Sequence, residues 1–162
     1  MPQYTAPIRD FTFGLNEFLN IEQYSGTVPG FDDLSIVEPI LDEGARFCTE
    51  VLHPLNQTGD EQGLKVENGE VTLPDGFVDA YKTYVESGWA SFACETDYGG
   101  QGLPNVINTP LIEMICATNL SFGLLPGLTH GAYAALHLFG TDEQKQTYLP
   151  RLVSGEWTGI MC

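Results

Sequence analysis

Apolar residues recur at steps of three and four between Asp32 and Leu55, a spacing that places them on one face of a helix. Asp32 and Asp33 stand where this helix begins and suit its positive end. His53-Pro54 is expected to end it, because proline cannot continue the helical hydrogen-bond pattern. The positions that share the face are Leu34, Val37, Leu41, Ala45, Cys48, Leu52 and Leu55.

The segment "LKVENGEVTL" has a different period, with apolar residues alternating about Asn68-Gly69. This dipeptide accepts the positive φ angles of a two-residue turn, so the segment predicts a β-hairpin. Pro74-Asp75-Gly76 then opens a second helix. The glycine-rich "SFACETDYGGQGLP" cannot continue that helix and is expected to form an ordered loop.

The next two helices are predicted over residues 105–118 and 122–139. The second of them is apolar on every side, which predicts a central helix buried all round. Gly140 ends it, and Thr141 starts a fifth helix in which Gln144, three residues on, completes a capping box. One face of the apolar helix carries Leu124, Leu128, Gly131, Ala135 and Leu138.

These elements predict an all-α fold, a helical bundle of about five helices with one small β-hairpin. After the fifth helix, the β-branched and aromatic content of "EWTGIMC" predicts a strand that enters a region of different architecture. The chain is long enough, at 162 residues, for one domain with a core.

Charge excludes several classes of partner. Six Lys and Arg stand against 22 Asp and Glu, and the formal net charge of −16 repels nucleic acid and anionic membranes. The basic residues are scattered, so the chain offers no cradle for a polyphosphate. The uncharged run from Met114 to Thr141 is long enough to span a bilayer, but its polar residues and acidic flanks favour a buried helix pair. The N-terminus lacks a secretory signal, and we expect a cytoplasmic protein.

Candidate chemistry is sparse. The Gly99-Gly100-Gln101-Gly102 cluster lacks dinucleotide-binding spacing, and tight turns are the favoured interpretation over a phosphate loop. His130 and His137 share a helix face and are either catalytic or cofactor-binding or, as we favour, core histidines. The four cysteines have no metal-ligand spacing and predict free thiols.

The sequence nevertheless resembles a known family. "YGGQGLP", the long apolar helix and "FGTDEQKQTYLPRLVSGEWTGIMC" are similar to the N-terminal domain of the acyl-CoA dehydrogenases. The opening "YTAPIRDFTFGLNE" resembles extended bacterial forms of the family. The resemblance divides the chain into an N-terminal extension (1–30), the helical domain (31–156) and the start of a middle β-domain (157–162).

The resemblance implies FAD as cofactor and an acyl-CoA thioester as substrate. A base takes the proton next to the thioester carbonyl, a hydride leaves the β-carbon for the flavin, and the electrons pass to an electron-transfer flavoprotein. By position, Met161 and Cys162 match the start of the flavin-contacting strand. The helix that lines the acyl tunnel corresponds to Leu124, Leu128 and Gly131, with Thr129 and His130 as further candidates.

In the family, the catalytic base and most of the flavin site lie beyond the matching segment. We therefore expect this chain to be the first part of an acyl-CoA dehydrogenase, inactive alone and homo-oligomeric in its full-length form. Two alternatives stay open. One is a stand-alone helical module that binds a partner through the face that the β-domain covers in the family, and the other is a relative that works as an oxidase.

Overall fold

The computed structural model describes residues 3–31 and 33–162. The two strands of the described chain, β1 (Lys65–Glu67) and β2 (Glu70–Thr72), pair antiparallel. The predicted all-α bundle with one hairpin is confirmed. Its α-helices are α1 (Ile8–Phe13), α2 (Val37–Phe47), α3 (His53–Gln62), α4 (Phe77–Glu86), α5 (Asn105–Thr118), α6 (Leu120–Phe139) and α7 (Asp142–Val153).

The helix predicted to stop at His53-Pro54 does not stop there. From α2 it passes through a π-helical turn, Cys48–Leu52, into α3 and ends at Gln62. A proline ring crowds the carbonyl four residues earlier, and a π turn directly ahead of Pro54 relieves that crowding. Asp33 starts the helix, since its side chain accepts a hydrogen bond from the Ser35 backbone N at 2.9 Å. Asp32 lies outside the described residues.

The hairpin has the predicted turn. Asn68 and Gly69 adopt φ angles of 54° and 83°, and Val66 pairs with Val71 across the two strands. Its apolar side chains are exposed, Val66 by 69%. The turn chemistry therefore forms the hairpin without a packed face beneath it.

The centre of the core is α5, which packs against α2 on one side and α6 on another. Its buried apolar residues join those of α2, α4 and the N-terminal segment in one cluster. Leu15 and Ile21, from the predicted extension at 1–30, are 3% and 2% exposed and belong to the same cluster. The most buried large apolar residues of α5 are Ile107, Leu111, Met114 and Ile115.

The prediction that α6 is buried all round is wrong. Only Phe122, Gly123 and Tyr133 are buried in this helix, whereas Leu124 is 58% and Phe139 86% exposed. The reason is a shortage of neighbours, since α6 packs mainly on α5 and α7. Its remaining side has no helix against it in the described chain. We call this side the outer face of α6; it carries Leu120, Leu124, Gly131, Ala135, Leu138 and Phe139.

Asn119 separates α5 from α6 and divides the long uncharged run. Its side chain is 1% exposed, accepts a hydrogen bond from the Phe122 backbone N at 3.0 Å and donates to the Leu52 carbonyl at 3.3 Å. A buried amide with these partners fixes the corner between the two helices. Among the described residues, no helix combines the length and the apolar character that crossing a membrane requires.

The capping box predicted for α7 is present. The Thr141 hydroxyl accepts from the Gln144 backbone N at 3.3 Å, and the Gln144 side chain accepts from the Thr141 backbone N at 2.8 Å. Beyond α7, residues 158–162 form neither helix nor strand. The strand expected there is not formed, because the described chain offers it no neighbouring strand to pair with.

Candidate functional site

A cavity of about 50 Å³ lies between α4, α5, α6 and the turn at residues 89–94. Aromatic rings form one part of its wall and small residues of α6 form another. Among the described residues, none of those around it is an aspartate or a glutamate. Prominent among them are Tyr81, Tyr84, Trp89, Asn108, Cys116, Gly123, Gly127, Thr129, His130 and Tyr133.

The cavity divides the predicted substrate residues into two groups. Thr129 and His130 line it, whereas Leu124, Leu128 and Gly131 do not. Leu124 and Gly131 are exposed on the outer face of α6, and Leu128 is half-buried. The two groups therefore lie on different sides of the same helix, and Gly127, which is exposed and also lines the cavity, lies between them.

Thr129 joins the cavity wall to the end of the chain. Its hydroxyl donates to the Leu125 carbonyl at 2.9 Å and accepts from the Gly159 backbone N at 3.1 Å. A side chain on Gly159 would meet the Ala132 Cβ at 2.6 Å, so only glycine fits this approach. The contact places the last residues of the chain beside α6.

The two predicted flavin-contacting residues follow this contact directly. Met161 is 82% exposed and Cys162 is also exposed. No hydrogen bond within the described part of the chain engages residues 160–162. Arg151, the basic residue nearest in sequence, is occupied, because it pairs with Glu156 at 2.7 Å and lies over the Trp157 ring at 4.6 Å. Residues 160–162 thus offer an apolar edge and free backbone groups.

The glycine-rich loop forms the tight turns that the sequence favours. The Gly102 backbone N donates to the Cys94 carbonyl at 2.8 Å, and a Cβ on Gly100 would lie 2.0 Å from that carbonyl oxygen. Gly100 is therefore required for close packing. The Glu95 backbone N donates to the Tyr133 hydroxyl at 2.8 Å, which fastens the loop to α6.

His130 and His137 belong to a row of aromatic rings along α6. The His130 and Tyr133 rings stack with centroids 6.1 Å apart, and Tyr133 stacks on His137 at 5.6 Å. Burial lowers the pKa of His130, which favours the neutral ring. Neither histidine has a hydrogen-bonded carboxylate in the described chain. Their position supports structural histidines over a catalytic dyad.

The cysteines are free thiols, as predicted, and they differ in reactivity. Burial raises the pKa of Cys48 to about 12 and that of Cys94 to about 11. The thiolate is the reactive form, so these two thiols are unreactive at neutral pH. Cys162 is the exposed thiol of the chain.

Sequence reasoning did not find Trp89. This residue is 9% exposed, lines the cavity and has an indole N–H that is buried without an acceptor among the described residues. No pattern in the sequence marks it, because the missing acceptor is a property of the packed structure.

Comparisons with known proteins agree with the family resemblance of the sequence. A family model described as "Acyl-CoA dehydrogenase, N-terminal domain" matches residues 38–156. 3-Methylmercaptopropionyl-CoA dehydrogenase of Ruegeria pomeroyi is 38% identical over 159 residues, which make up 98% of this chain and 27% of that relative. A butyryl-CoA dehydrogenase of Syntrophomonas wolfei is 30% identical over 166 residues, with the same two coverages of 98% and 27%.

A solved structure with a similar fold supports the same assignment. The acyl-CoA dehydrogenase from Bacillus anthracis, complexed with FAD, superposes with a TM-score of 0.61 at 25% identity. The match covers 79% of this chain and 20% of that one. The chain spans 27% of the length of the two curated relatives it matches. From the matching family model and these similarities, the chain belongs to the acyl-CoA dehydrogenase family.

Proposed function

We propose that the chain is the N-terminal part of a FAD-dependent acyl-CoA dehydrogenase, which removes two hydrogens from the α and β carbons of an acyl-CoA thioester. The observation that carries the proposal is the hydrogen bond from the Gly159 backbone N to the Thr129 hydroxyl at 3.1 Å. It joins the segment expected at the flavin to the helix expected at the acyl chain.

Met161 and Cys162 would form an edge of the flavin site. Their exposed side chains and unengaged backbone suit contact with the flat, apolar part of a flavin. FAD, when bound, supplies the acceptor for the hydride. The chain contributes position, because Gly159 fixes the distance of these residues from α6. Among the described residues, the nearest basic side chain in sequence, Arg151, is already paired with Glu156, so we assign the partners of the FAD and CoA phosphates to other parts of the protein.

The outer face of α6 would form one wall of the acyl site. It has bulky residues near both ends and the small residues Gly131 and Ala135 between them, and the exposed Gly127 lies at its border with the cavity. This shape leaves a shallow depression where an alkyl chain can approach the helix backbone. Leu124 and Leu128 would flank the alkyl chain of the substrate on one side. Thr129 and His130 would contact the alkyl chain where the depression reaches the cavity.

The catalytic base is assigned outside this chain. No carboxylate of the described residues lines the cavity, and His130 is held in an aromatic stack. A base must reach the proton it removes within hydrogen-bond distance. We therefore expect no turnover from residues 1–162 alone. We further propose that an electron-transfer flavoprotein accepts the electrons and that the full-length form is a homo-oligomer.

Anaerobic flavin reduction tests this function. The polypeptide encoded by the whole reading frame is loaded with FAD and mixed with a series of saturated acyl-CoA thioesters. We expect loss of the visible flavin absorbance and formation of the enoyl-CoA product, with the 162-residue chain as the inactive control. A flavin that stays oxidised with every thioester contradicts the proposal. Rapid reoxidation by oxygen, and not by an electron-transfer flavoprotein, would instead identify an oxidase.

A further inference from the structure

Residues 155–162 are attached to the helices at two points. The first is Gly155, whose carbonyl accepts a hydrogen bond from the Tyr81 hydroxyl of α4 at 3.1 Å. The second is Gly159, whose backbone N donates to the Thr129 hydroxyl of α6 at 3.1 Å. The two points therefore join the segment to two different helices.

Both points require glycine. A Cβ on Gly155 would lie 2.5 Å from Val85 Cγ2 of α4, and the φ of this residue, 73°, is one that other residues rarely adopt. A Cβ on Gly159 would lie 2.6 Å from the Ala132 Cβ of α6. At both points the backbone of the segment therefore lies directly on the helix.

The stretch between the two points has little slack. Its three residues are exposed, and four residue steps span at most about 14 Å. A segment attached at one point can swing about it, whereas a segment attached at two points keeps its position and its direction. Cys162 follows Gly159 by three residue steps, a reach of at most about 11 Å. The two points together therefore limit where residues 160–162 can lie.

We propose that Tyr81 is a positioning residue for the flavin. Resting on the proposed function, the inference is that its hydroxyl holds Gly155 and thereby keeps residues 160–162 where the flavin ring would meet them. Tyr81 acts through Gly155 and not through a contact with FAD. A site that is held in place before binding loses less conformational entropy when the cofactor binds. Loss of the hydroxyl should therefore weaken the binding of FAD.

The test compares two hydroxyl deletions on the same helix. Tyr81→Phe removes the hydroxyl and keeps the ring. Thr83→Val is the matched control, because the exposed Thr83 hydroxyl also donates to a backbone carbonyl, that of Asp79 within α4, at 2.9 Å. Both variants are made in the polypeptide encoded by the whole reading frame. The dissociation constant of FAD is measured for each, and the free energy of unfolding is measured without FAD.

We expect Tyr81→Phe to raise the dissociation constant of FAD about three- to tenfold, the effect of one hydrogen bond, and Thr83→Val to leave it unchanged. The visible absorption band of the bound flavin should shift in Tyr81→Phe alone, a signal that a loss of stability does not produce. Equal dissociation constants for Tyr81→Phe and wild type overturn the proposal. Equal increases in both variants also overturn it, because they would reflect a general loss of stability.

A second measurement needs no flavin. In the 162-residue chain, hydrogen exchange at the Gly159 backbone N shows whether the second point opens when the first is released. We expect exchange to become about three- to tenfold faster in Tyr81→Phe and to stay the same in Thr83→Val. Unchanged exchange in Tyr81→Phe would show that the two points act separately, which overturns the proposal.

The outcome is separate from that of the flavin assay. FAD that binds but is reduced by none of the acyl-CoA thioesters removes the dehydrogenase function, and the comparison of Tyr81→Phe with wild type still decides the inference. Flavin reduction together with an unchanged FAD dissociation constant in Tyr81→Phe does the reverse. A polypeptide that binds no FAD removes both.

Discussion

Consecutive helices of similar apolar character, α5 and α6, have opposite surroundings. On α5, Leu111 and Met114 are 2% and 0% exposed, whereas on α6 Leu124 and Leu138 are 58% and 68% exposed. The helices are separated only by Asn119. The difference lies in their neighbours, since α5 is enclosed by α2 and α6 while α6 packs mainly on α5 and α7 and its outer face is exposed in the part of the chain that the structure describes.

An apolar sequence therefore shows that a helix can be buried, but whether it is buried depends on the elements that pack against it. Each square ångström of apolar surface removed from water contributes about 25 cal/mol, whichever element covers it. The surface of α5 contributes to the stability of this chain. The outer face of α6 is available for another partner, and contiguous exposed apolar surfaces of this kind mark interaction sites.

The largest expected effect comes from one substitution made on both helices. Leu111→Ala should lower the free energy of unfolding by about 2–5 kcal/mol, because it opens a cavity in the core. Leu124→Ala should change it by less than about 0.5 kcal/mol, because the side chain already meets water. Urea denaturation of the two variants measures both values. Similar losses would show that the outer face is packed in the free chain.

Two glycines, one packed against α5 and one on the outer face of α6, give a second comparison of the same two surroundings. A Cβ on Gly44 would lie 3.0 Å from Leu111 Cδ1 and 3.2 Å from Met114 Cε, whereas a Cβ on Gly131 meets nothing within 4 Å. Gly44→Ala should therefore leave the chain less stable than Gly131→Ala does, because crowding against Leu111 and Met114 offsets the gain in helix propensity. Gly131→Ala should stabilise it by up to about 1 kcal/mol through helix propensity. Destabilisation by Gly131→Ala, measured in the same denaturation assay, would contradict the account.

The smallest expected effect is a pH dependence of the stability, which comes from His130 on the side of α6 that lines the cavity. Burial lowers the pKa of His130, so the unfolded chain binds a proton at a higher pH than the folded chain does. Stability should fall as the pH drops below about 6.5, the ordinary histidine pKa, and this group should have no effect above it. The melting temperatures of wild type and His130→Gln, compared from neutral to mildly acidic pH, give the test. Wild type should lose more stability than the variant, and identical losses would refute this prediction.

Local signals predicted the local structure. The bounds of α5, the Asn68-Gly69 turn and the Thr141–Gln144 capping box follow from residues within a few positions of one another, and the structure has all three. Each depends on backbone geometry or on short-range hydrogen bonds. Such features need no knowledge of the rest of the fold.

Features that depend on distant residues could not be predicted this way. The end of α3 was misplaced because a π turn accommodates Pro54, and the burial of α6 was overestimated because its neighbours were unknown. Of the predicted substrate residues, the sequence could place Leu124, Thr129 and Gly131 on one helix. It could not show that Thr129 lines a cavity while Leu124 and Gly131 are exposed, or that Trp89 lines the same cavity.

The central claim is that residues 159–162 and the adjoining surface of α6 form one side of a flavin site. Alkylation of Cys162, followed by mass spectrometry, tests it most directly. In the 162-residue chain, Cys162 should react fast while Cys48 and Cys94 do not. In the polypeptide from the whole reading frame, we expect FAD to protect Cys162 and its removal to restore the reaction. Equal reactivity of Cys162 with and without FAD would contradict the claim.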